Sequence, residues 1–299
     1  MPDLENFAGL LRCPACGADL EAADCAACGF EVPVKEGRPA FPFAKTGEPY
    51  ETRIVALPEI EAALEAHFSL AGRGQAEGGV HHLEGAHDDI LRLCPADTVL
   101  LEIGCGGAQM RGYVEGLGLR YVGTDVSLEG VEEHLRLHGG ADFLSDVHAL
   151  PIRDGAVDVV YSAAVTQYFS TPHRAMQEIF RILKPGGHYL GNCAFLEPWT
   201  DGSVFHATPS GAVALLLSAG FKIEAMWPSK GYTGYQSLLA SGSRSARAIG
   251  WLGTPLRLWA ELPYAAKRRL RGEAYDAHAR AVDLARTAGG IDWIARKPG

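Results

Sequence analysis

Short apolar runs alternate with amphipathic stretches along most of the chain after residue 97. The runs have the length and the Val, Ile and Leu content of buried strands, whereas the intervening stretches place apolar residues at helical spacing. Strands that alternate with helices through short connections form a parallel sheet covered on both faces. We predict strands at 98–103, 120–125, 142–144, 157–162, 187–195, 221–227 and 290–296, and helices at about 108–117, 128–138, 172–183 and 209–219.

The interval 229–289 interrupts this alternation with about 60 residues that contain helix-like patches. A segment of this length between two strands is an insertion and not a connection. We expect it to cap the ligand crevice, although its large apolar side chains could instead only pack it onto the sheet. These side chains are Trp251, Trp259, Leu262 and Tyr264.

Two further segments precede the first strand of the main domain. Residues 44–70 form a linker bounded by Pro and Gly that leads into a helix. Residues 72–85 are rich in glycine and carry His81 and His82, a composition typical of a mobile loop or a lid. We therefore divide the chain into an N-terminal module at 1–43, a linker with a helix and a candidate lid at 44–87, and a main domain at 88–299.

Composition and charge narrow the classes of function. The 299 residues are 47% hydrophobic, enough for a packed core. No apolar run approaches the roughly 20 residues of a membrane span, and the N-terminus lacks a signal-peptide pattern, so we expect a cytoplasmic protein without a membrane partner. The net charge is −9, but residues 229–299 carry 12 Lys and Arg against 5 Asp and Glu, which leaves −16 on the first 228 residues. An acidic body is poorly suited to binding a long phosphate backbone.

Four of the seven cysteines lie within sixteen residues, in two C-x-x-C-G units formed by Cys13, Cys16, Cys25 and Cys28. Four thiolates at this spacing suit a closed, structural Zn²⁺ site, which has no open position for catalysis. The alternatives are two disulfides, a redox C-x-x-C and an iron–sulfur centre. We expect the loss of one cysteine to destabilise the module and to leave the affinity for a cofactor in the main domain nearly unchanged.

Residues 10–43 carry a resemblance to a known family. The segments LLRCPACGADL and CAACGFEVPVKEGRPAF look like the zinc-ribbon activators that partner tRNA, rRNA and release-factor methyltransferases. The same ribbon is also found fused in front of methyltransferase domains. The resemblance covers about 35 residues and depends on the two cysteine pairs together with VPVKEGRP.

The first strand of the main domain ends in a glycine-rich turn, in the sequence TVLLEIGCGGA. Such a turn between a strand and a helix lets backbone N–H groups approach a ligand closely. Asp125 ends the second strand, 21 residues after Gly104, where a carboxylate can accept hydrogen bonds from two ribose hydroxyls. Asp146 follows the third strand, and the sequence KPGG precedes the fifth.

In this order and spacing, these motifs resemble the class I S-adenosylmethionine-dependent methyltransferases, over roughly residues 88–227 and 290–297. The resemblance implies a Rossmann-like fold of seven strands, S-adenosylmethionine as cofactor and S-adenosylhomocysteine as product. One departure is Ala108, which stands at the third glycine position of the family motif. The cofactor residues that the resemblance implies are Glu102, Gly104 and Gly106 around the methionine moiety, Asp125 and the following Val126 at the ribose, Asp146 and Val147 at the adenine, and Ala163 on the methyl side.

Two other interpretations of the glycine-rich turn remain open. A nucleotide-dependent oxidoreductase would need a G-x-x-G tail to place a pyrophosphate at the helix N-terminus, and the turn here lacks it. A non-catalytic partner module with a vestigial cofactor fold is the other interpretation. The presence of Glu102, Asp125 and Asp146 weighs against it. Asp125 could also be a simple helix cap, but Ser127 would cap a helix equally well.

The acceptor side carries no N-P-P-[YF] signature of amide or adenine methylation, because the sequence after the fourth strand reads SAAVTQYF. We expect Thr166, Gln167 and Tyr168 to face the acceptor. The candidate catalytic residues are His206 and Tyr168, and His206 is also a candidate substrate contact. Further histidines that could act as a base are His67, His81, His82 and His87.

Two classes of acceptor remain. The first is a small molecule, methylated on O, N or C by in-line displacement, in which alignment of the reactants does most of the work. The second is rRNA or tRNA, suggested by the zinc ribbon and by a basic cluster in the insertion. The charge of −16 on the first 228 residues favours the small molecule. The basic cluster consists of Lys267, Arg268, Arg269 and Arg271, and its other interpretation is a solvated helix face.

Overall fold

The computed structural model describes most of the N-terminal module and of the main domain. Most of the candidate lid, most of the predicted helix at 128–138 and most of the insertion lie outside the described residues. So do the side chains of His81, His82, Trp251, Trp259, Leu262, Tyr264, Lys267, Arg268 and Arg271. The described residues are 4–45, 47, 49–72, 74, 76, 83–129, 131, 138–197, 202–229, 266, 269–270, 277–286 and 288–299.

Two short antiparallel strands belong to the N-terminal module, and seven strands form the main sheet. The strands of the module are β1 (Val34–Lys35) and β2 (Arg38–Pro39). Those of the main sheet are β3 (Val99–Ile103), β4 (Arg120–Asp125), β5 (Phe143–Leu144), β6 (Val157–Ser162), β7 (Leu183–Ala194), β8 (Lys222–Pro228) and β9 (Gly290–Arg296). The α-helices among the described residues are α1 (Leu57–His67), α2 (Gly85–Leu93), α3 (Arg111–Gly116), α4 (Pro172–Ile182), α5 (Pro209–Ala219) and α6 (Ala277–Ala285).

The order of strands in the main sheet is β5-β4-β3-β6-β7-β9-β8. Neighbours from β5 to β7 are parallel, and β9 runs antiparallel to both β7 and β8. The chain moves from β3 in one direction to β4 and β5, and later from β6 in the other direction to β7. This reversal opens a crevice at the carboxyl ends of β3 and β6, where open α/β sheets bind ligands. The prediction of a Rossmann-like α/β fold with seven strands is confirmed.

The helix α2 is not among the predicted helices, and it crosses the predicted boundary between residues 87 and 88. Its sequence begins with glycine and contains two adjacent aspartates, which are weak helix formers. Tertiary contacts hold it in place. Asp88 is buried and accepts hydrogen bonds from Arg92 Nε at 2.9 Å and from the hydroxyl of Tyr113.

Other predicted element bounds differ because of local backbone geometry. The helix α3 starts at Arg111 and not near residue 108, because Ala108 has a left-handed backbone with a φ of +59°. The strand β7 starts at Leu183, which pairs with Val157 before a shift in register leads to the pair of Val159 and His188. No helix among the described residues is long and apolar enough to cross a membrane.

The N-terminal module packs against the edge of the main sheet and shares its hydrophobic core. Phe7 and Phe41 meet the ring of Phe143 in β5 edge-on, each with ring centroids 5.7 Å apart. Leu11 pairs with Ile152 in an isolated antiparallel bridge. The module therefore covers one end of the sheet, on the side of β5.

Candidate functional site

The four N-terminal cysteines converge on one point. Their sulfur atoms all lie within 4.8 Å of one another, with Cys13 Sγ 3.6 Å from Cys28 Sγ and Cys16 Sγ 3.7 Å from Cys25 Sγ. A tetrahedron with Zn–S bonds of about 2.3 Å has S···S edges of about 3.8 Å. All four are free thiols at these distances, so the arrangement fits a metal and not two disulfides.

The two C-x-x-C-G units fold alike. Gly17 donates its N–H to the carbonyl of Cys13 at 2.9 Å, and Gly29 donates to Cys25 at 2.8 Å. Both glycines have a positive φ, +78° and +73°, which is why glycine follows each pair. Each tight turn brings the two sulfurs of its pair to the same side. The sequence repeat thus becomes a structural repeat around one centre.

A cavity of about 380 Å³ opens at the carboxyl ends of β3, β4 and β5, where the topology predicts a ligand site. We call it the cofactor cavity. Its lining combines predicted cofactor residues with residues that the sequence analysis did not single out. The lining consists of Phe43, Ile103, Gly104, Thr124, Asp125, Val126, Ser145, Asp146, Val147, His148, Val165, Tyr168, Phe169 and Ser170.

The glycine-rich turn after β3 is held tightly by the loop after β6. Gly104 has a φ of +68°, and a Cβ added there would lie 2.3 Å from Val165 Cγ2. Gly106 has a φ of +51° with open space around its missing side chain. Gly104 is therefore required by both backbone conformation and packing, whereas Gly106 leaves room beside the turn.

Glu102 lies beneath the turn, in the last part of β3, and is buried. The hydroxyl of Tyr121 donates a hydrogen bond to its Oε2. Burial raises the pKa of Glu102 to about 7, and the hydrogen bond from Tyr121 only partly offsets this effect. Glu102 does not belong to the lining of the cofactor cavity, so its contact with the methionine moiety stays a prediction.

Asp125 lines the cofactor cavity at the end of β4. One carboxylate oxygen accepts a hydrogen bond from Gly106 N at 2.8 Å, and the other from Val126 N at 2.7 Å. Burial raises the pKa of Asp125, although these backbone hydrogen bonds oppose the shift. The carboxylate thus joins the glycine-rich turn to the loop after β4, where the backbone of Ser127 also bonds to it, and part of its acceptor capacity stays available for a further donor.

Asp146, after β5, takes part in a small network. Its Oδ1 accepts from His148 N at 3.0 Å and from His148 Nδ1 at 2.6 Å, and its Oδ2 accepts from Ala44 N at 3.1 Å. His148 Nε2 accepts from Thr171 N at 3.2 Å, so these contacts place the ring proton on Nδ1. Burial raises the pKa of Asp146, but the hydrogen bonds from His148 and Ala44 outweigh it and lower the pKa below its usual range.

The predicted acceptor residues are in different environments. Thr166 and Gln167 are buried, whereas Tyr168 is 42% exposed and lines the cofactor cavity. The segment that carries His206 lies next to them, because Val204 N and Phe205 N both donate to the carbonyl of Gln167. His206 is exposed, and its Nδ1 lies 3.3 Å from the carbonyl oxygen of Phe195. Only Tyr168 and His206 of the four therefore present accessible side chains.

His87 is unsuited to act as a base at the cavity. It is 1% exposed, and its Nε2 donates to the carbonyl of Trp293 at 2.9 Å. Burial lowers the pKa of His87 to about 4, so the ring is neutral at physiological pH. His67 lies in the last turn of α1, outside the lining of the cavity.

A chain of polar contacts that the sequence did not reveal joins the loop after β6 to the buried Asp292. Ala164, with a φ of +55°, donates its N–H to Asn192 Oδ1 at 2.7 Å. Asn192 Nδ2 lies 3.3 Å from Asp292 Oδ1, and Ser229 Oγ donates to Asp292 Oδ2 at 2.5 Å. Burial raises the pKa of Asp292 to about 7. These residues come from four separate parts of the chain, so no local sequence signal connects them.

Similarity to known proteins falls on the same part of the chain. Residues 101–191 match the family model described as "Methyltransferase domain". The chain is 34% identical over 105 residues to tRNA (carboxymethyluridine(34)-5-O)-methyltransferase ALKBH8 of Macaca fascicularis, covering 34% of this chain and 15% of that protein. It is 33% identical over 101 residues to malonyl-[acyl-carrier protein] O-methyltransferase of Pectobacterium atrosepticum, covering 33% of this chain and 40% of that protein.

A solved structure with a similar fold is the S-adenosylmethionine dependent methyltransferase from Mesorhizobium loti. The two share 17% identity over 70% of this chain and 96% of that one, with a TM-score of 0.43. The family match confirms the prediction of a methyltransferase domain for residues 101–191. The chain spans less than half the length of the two curated relatives above. The resemblance of residues 10–43 to zinc-ribbon activators stays a prediction.

Proposed function

We propose that this chain, with its S-adenosylmethionine-dependent methyltransferase domain, transfers a methyl group to a small-molecule acceptor. The observation that carries the proposal is the placement of Asp125, Asp146 and the glycine-rich turn around one cavity at the carboxyl ends of the parallel strands. This arrangement matches the chemistry of an adenosyl ligand. Asp125 would accept hydrogen bonds from two ribose hydroxyls, Asp146 would accept one from the amino group of the adenine, and the glycine-rich turn leaves open space beside them.

The residues present fit this cofactor. Asp125 and Asp146 both line the cofactor cavity with oxygen lone pairs to spare, and Val126 and Val147 supply apolar surface beside them. Gly106 leaves open space where a side chain would stand. Glu102, Gly104 and Ala163 complete the proposed set around the methionine moiety and the methyl side. When bound, S-adenosylmethionine supplies an electrophilic methyl group on a sulfonium.

The residues of this chain would orient the acceptor and accept its proton. Tyr168 lines the cofactor cavity, and Thr166 and Gln167 support it from inside the fold. We assign the role of base to His206, which would take a proton from an acceptor O–H or N–H. Glu197 lies near His206: burial raises the pKa of Glu197, and the interaction with His206 only partly offsets this shift. A positioned base typically contributes about 10²–10⁴-fold to the rate.

Charge favours a small molecule over RNA as the acceptor. The first 228 residues, which contain the cofactor cavity, carry a net charge of −16. Long-range repulsion of phosphates by such a body opposes RNA binding. RNA remains the second candidate, because one relative is named as a tRNA methyltransferase and Arg269 of the basic cluster is exposed.

We further propose that the four cysteines hold one structural Zn²⁺. The near-tetrahedral spacing of the sulfurs supports this assignment, as does the repeated turn around Gly17 and Gly29. All four positions would be filled by protein, so the metal would fold the module and take no part in methyl transfer.

Calorimetric titration with S-adenosylhomocysteine tests the cofactor assignment. Asp125→Ala removes hydrogen bonds to a charged acceptor, each worth about 1.5–3 kcal/mol, so the affinity should fall tenfold or more. Asp89→Ala, at an exposed position of α2, is the matched control and should bind as the wild type does. Unchanged affinity in a folded Asp125→Ala protein would mean that the ribose lies elsewhere.

The class of acceptor is tested by replacing Arg268 and Arg269 together with Ala. If the acceptor is a small molecule, the rate of its methylation should barely change. If the acceptor is RNA, the double variant should lose affinity for RNA and part of the salt dependence of that binding. Strong, salt-dependent RNA binding that disappears in the double variant would overturn the small-molecule proposal.

A further inference from the structure

The chain that leaves the N-terminal module runs along the edge of the main sheet. Ala40 pairs with Leu144 of β5 in a parallel bridge, and Phe41 N donates to the carbonyl of Leu144 at 2.9 Å. The strand β5 contains only two residues and is the last strand on this side. We call residues 36–44 the exit segment. Its backbone pairs with β5 at the edge of the sheet, close to the loops that line the cofactor cavity.

The start of the exit segment is bonded to the loop that follows Asp125. Glu36 Oε1 accepts from Ser127 Oγ at 3.0 Å, and Glu36 Oε2 accepts from Leu128 N at 2.6 Å. The hydrogen bond from Leu128 is the main reason why the pKa of Glu36 is lowered. Glu36 has a φ of +52°, a left-handed conformation that is uncommon outside glycine. The carboxylate of Glu36, in the N-terminal module, thus holds the loop that directly follows Asp125.

The end of the exit segment is bonded to the other acid of the cavity. Ala44 N donates to Asp146 Oδ2 at 3.1 Å, while both hydrogen bonds from His148 go to Oδ1. A carboxylate has about four acceptor positions, so three are filled and one on Oδ2 stays available for an amino group. Ala44 therefore fixes the rotation of the Asp146 carboxylate without using its full capacity.

Between these two contacts, the exit segment places an aromatic ring at the cavity. Phe41 points into the core and is 5% exposed, whereas Phe43 lines the cofactor cavity and is 64% exposed. Val126 and Val147, the residues after the two acids, line the same cavity. An exposed ring beside such apolar surface offers a stacking face for a flat base.

We propose that the exit segment is part of the cofactor site: Phe43 forms an aromatic wall for the adenine, while Glu36 and Ala44 position the loops of Asp125 and Asp146. This inference depends on the proposed function. It makes the fold of the N-terminal module a requirement for tight cofactor binding. From the sequence we expected a cysteine substitution to leave the affinity for the cofactor nearly unchanged. Under this proposal, a substitution that unfolds the N-terminal module should instead lower that affinity.

The first test compares substitutions of Phe43 by titration calorimetry with S-adenosylhomocysteine. Stacking of a base on an aromatic side chain predicts that Phe43→Ala weakens binding at least about fivefold, while Phe43→Trp retains most of the affinity. The indole should also report binding by a change in fluorescence. Tyr50→Ala is the matched control, because Tyr50 is an exposed aromatic on the following linker and does not line the cavity.

The second test addresses positioning. Glu36→Gln should weaken the same binding, because a neutral amide accepts the hydrogen bond from Leu128 N more weakly than a charged carboxylate does. Glu31→Gln, at an exposed position of the module, should not. Wild-type affinity in both Phe43→Ala and Glu36→Gln would overturn this inference and leave the proposed function intact. A wild-type protein that binds neither S-adenosylmethionine nor S-adenosylhomocysteine would overturn both.

Discussion

The hydroxyl of Tyr121 donates a hydrogen bond to the carboxyl of Glu102 across the neighbouring strands β4 and β3. Both residues are buried, and the guanidinium of Arg111 lies over the ring of Tyr121, 4.5 Å from its centroid. The pair places an ionisable group directly beneath the glycine-rich turn. Because burial raises the pKa of Glu102 to about 7, this group changes its charge near neutral pH.

Glu102→Gln should reduce the dependence of stability on pH. A glutamate in an unfolded chain has a pKa of about 4.3, so between about pH 4 and pH 7 the folded chain holds a proton that the unfolded chain has released. The free energy of unfolding of the wild type therefore falls as the pH rises through this window. Between pH 5 and pH 8, the free energy of unfolding of the variant should rise by at least about 1 kcal/mol relative to that of the wild type.

Urea unfolding at pH 5 and pH 8 measures this difference. Glu115→Gln is the control, because Glu115 lies at the exposed end of α3 with 53% of its side chain accessible. A Glu102→Gln protein with the same pH dependence as the wild type would show that Glu102 is ionised throughout in the folded state.

Asp292→Asn should also reduce the pH dependence of the free energy of unfolding. Asp292 is buried with a pKa raised to about 7, and its ordinary value lies near 3.9. The sign is the same as for Glu102, since the folded state holds the proton to higher pH. Asn can bond to both Ser229 and Asn192 without charge. The double variant Glu102→Gln, Asp292→Asn should have a flatter stability profile than either single variant in the same urea experiment.

Gly104→Ala should destabilise the fold more than Gly106→Ala. Both positions have a positive φ, which costs an L-residue roughly 1–2 kcal/mol. Only at Gly104 does the new Cβ also meet Val165, at 2.3 Å. We expect Gly104→Ala to lower the free energy of unfolding by about 2–4 kcal/mol. Adding Val165→Ala should restore part of this loss. Equal losses at the two glycines in chemical denaturation would refute the contact.

One Zn²⁺ per chain should be present in protein purified without added metal. Elemental analysis should detect it, because four thiolates at these distances close a tetrahedron. Cys13→Ser should lower the thermal unfolding temperature of the module and release the metal. Cys94→Ser is the control, since Cys94 lies at the end of α2, away from the cluster. Metal-free protein, or a visible iron–sulfur absorption band, would reject the assignment.

The sequence by itself determined the order of the elements and the residues that end the strands. The strands β4, β6 and β9 lie where the hydrophobic pattern predicts them, because central strands covered on both faces require continuous apolar runs. The glycine-rich turn, Asp125 and Asp146 were identifiable because the carboxyl ends of parallel strands meet at one edge. The spacing of the cysteines likewise predicted that their sulfurs would converge.

Only the tertiary structure decided what surrounds these groups. The helix α2 is held by contacts such as Asp88 with Tyr113, and the loop after β6 by Asn192, which comes from another strand. The contact of Ala44 with Asp146 joins residues 102 positions apart in the chain. Periodicity reports whether a side chain is buried, but not which distant residue it meets, since that depends on how the edge of the sheet and the N-terminal module pack together.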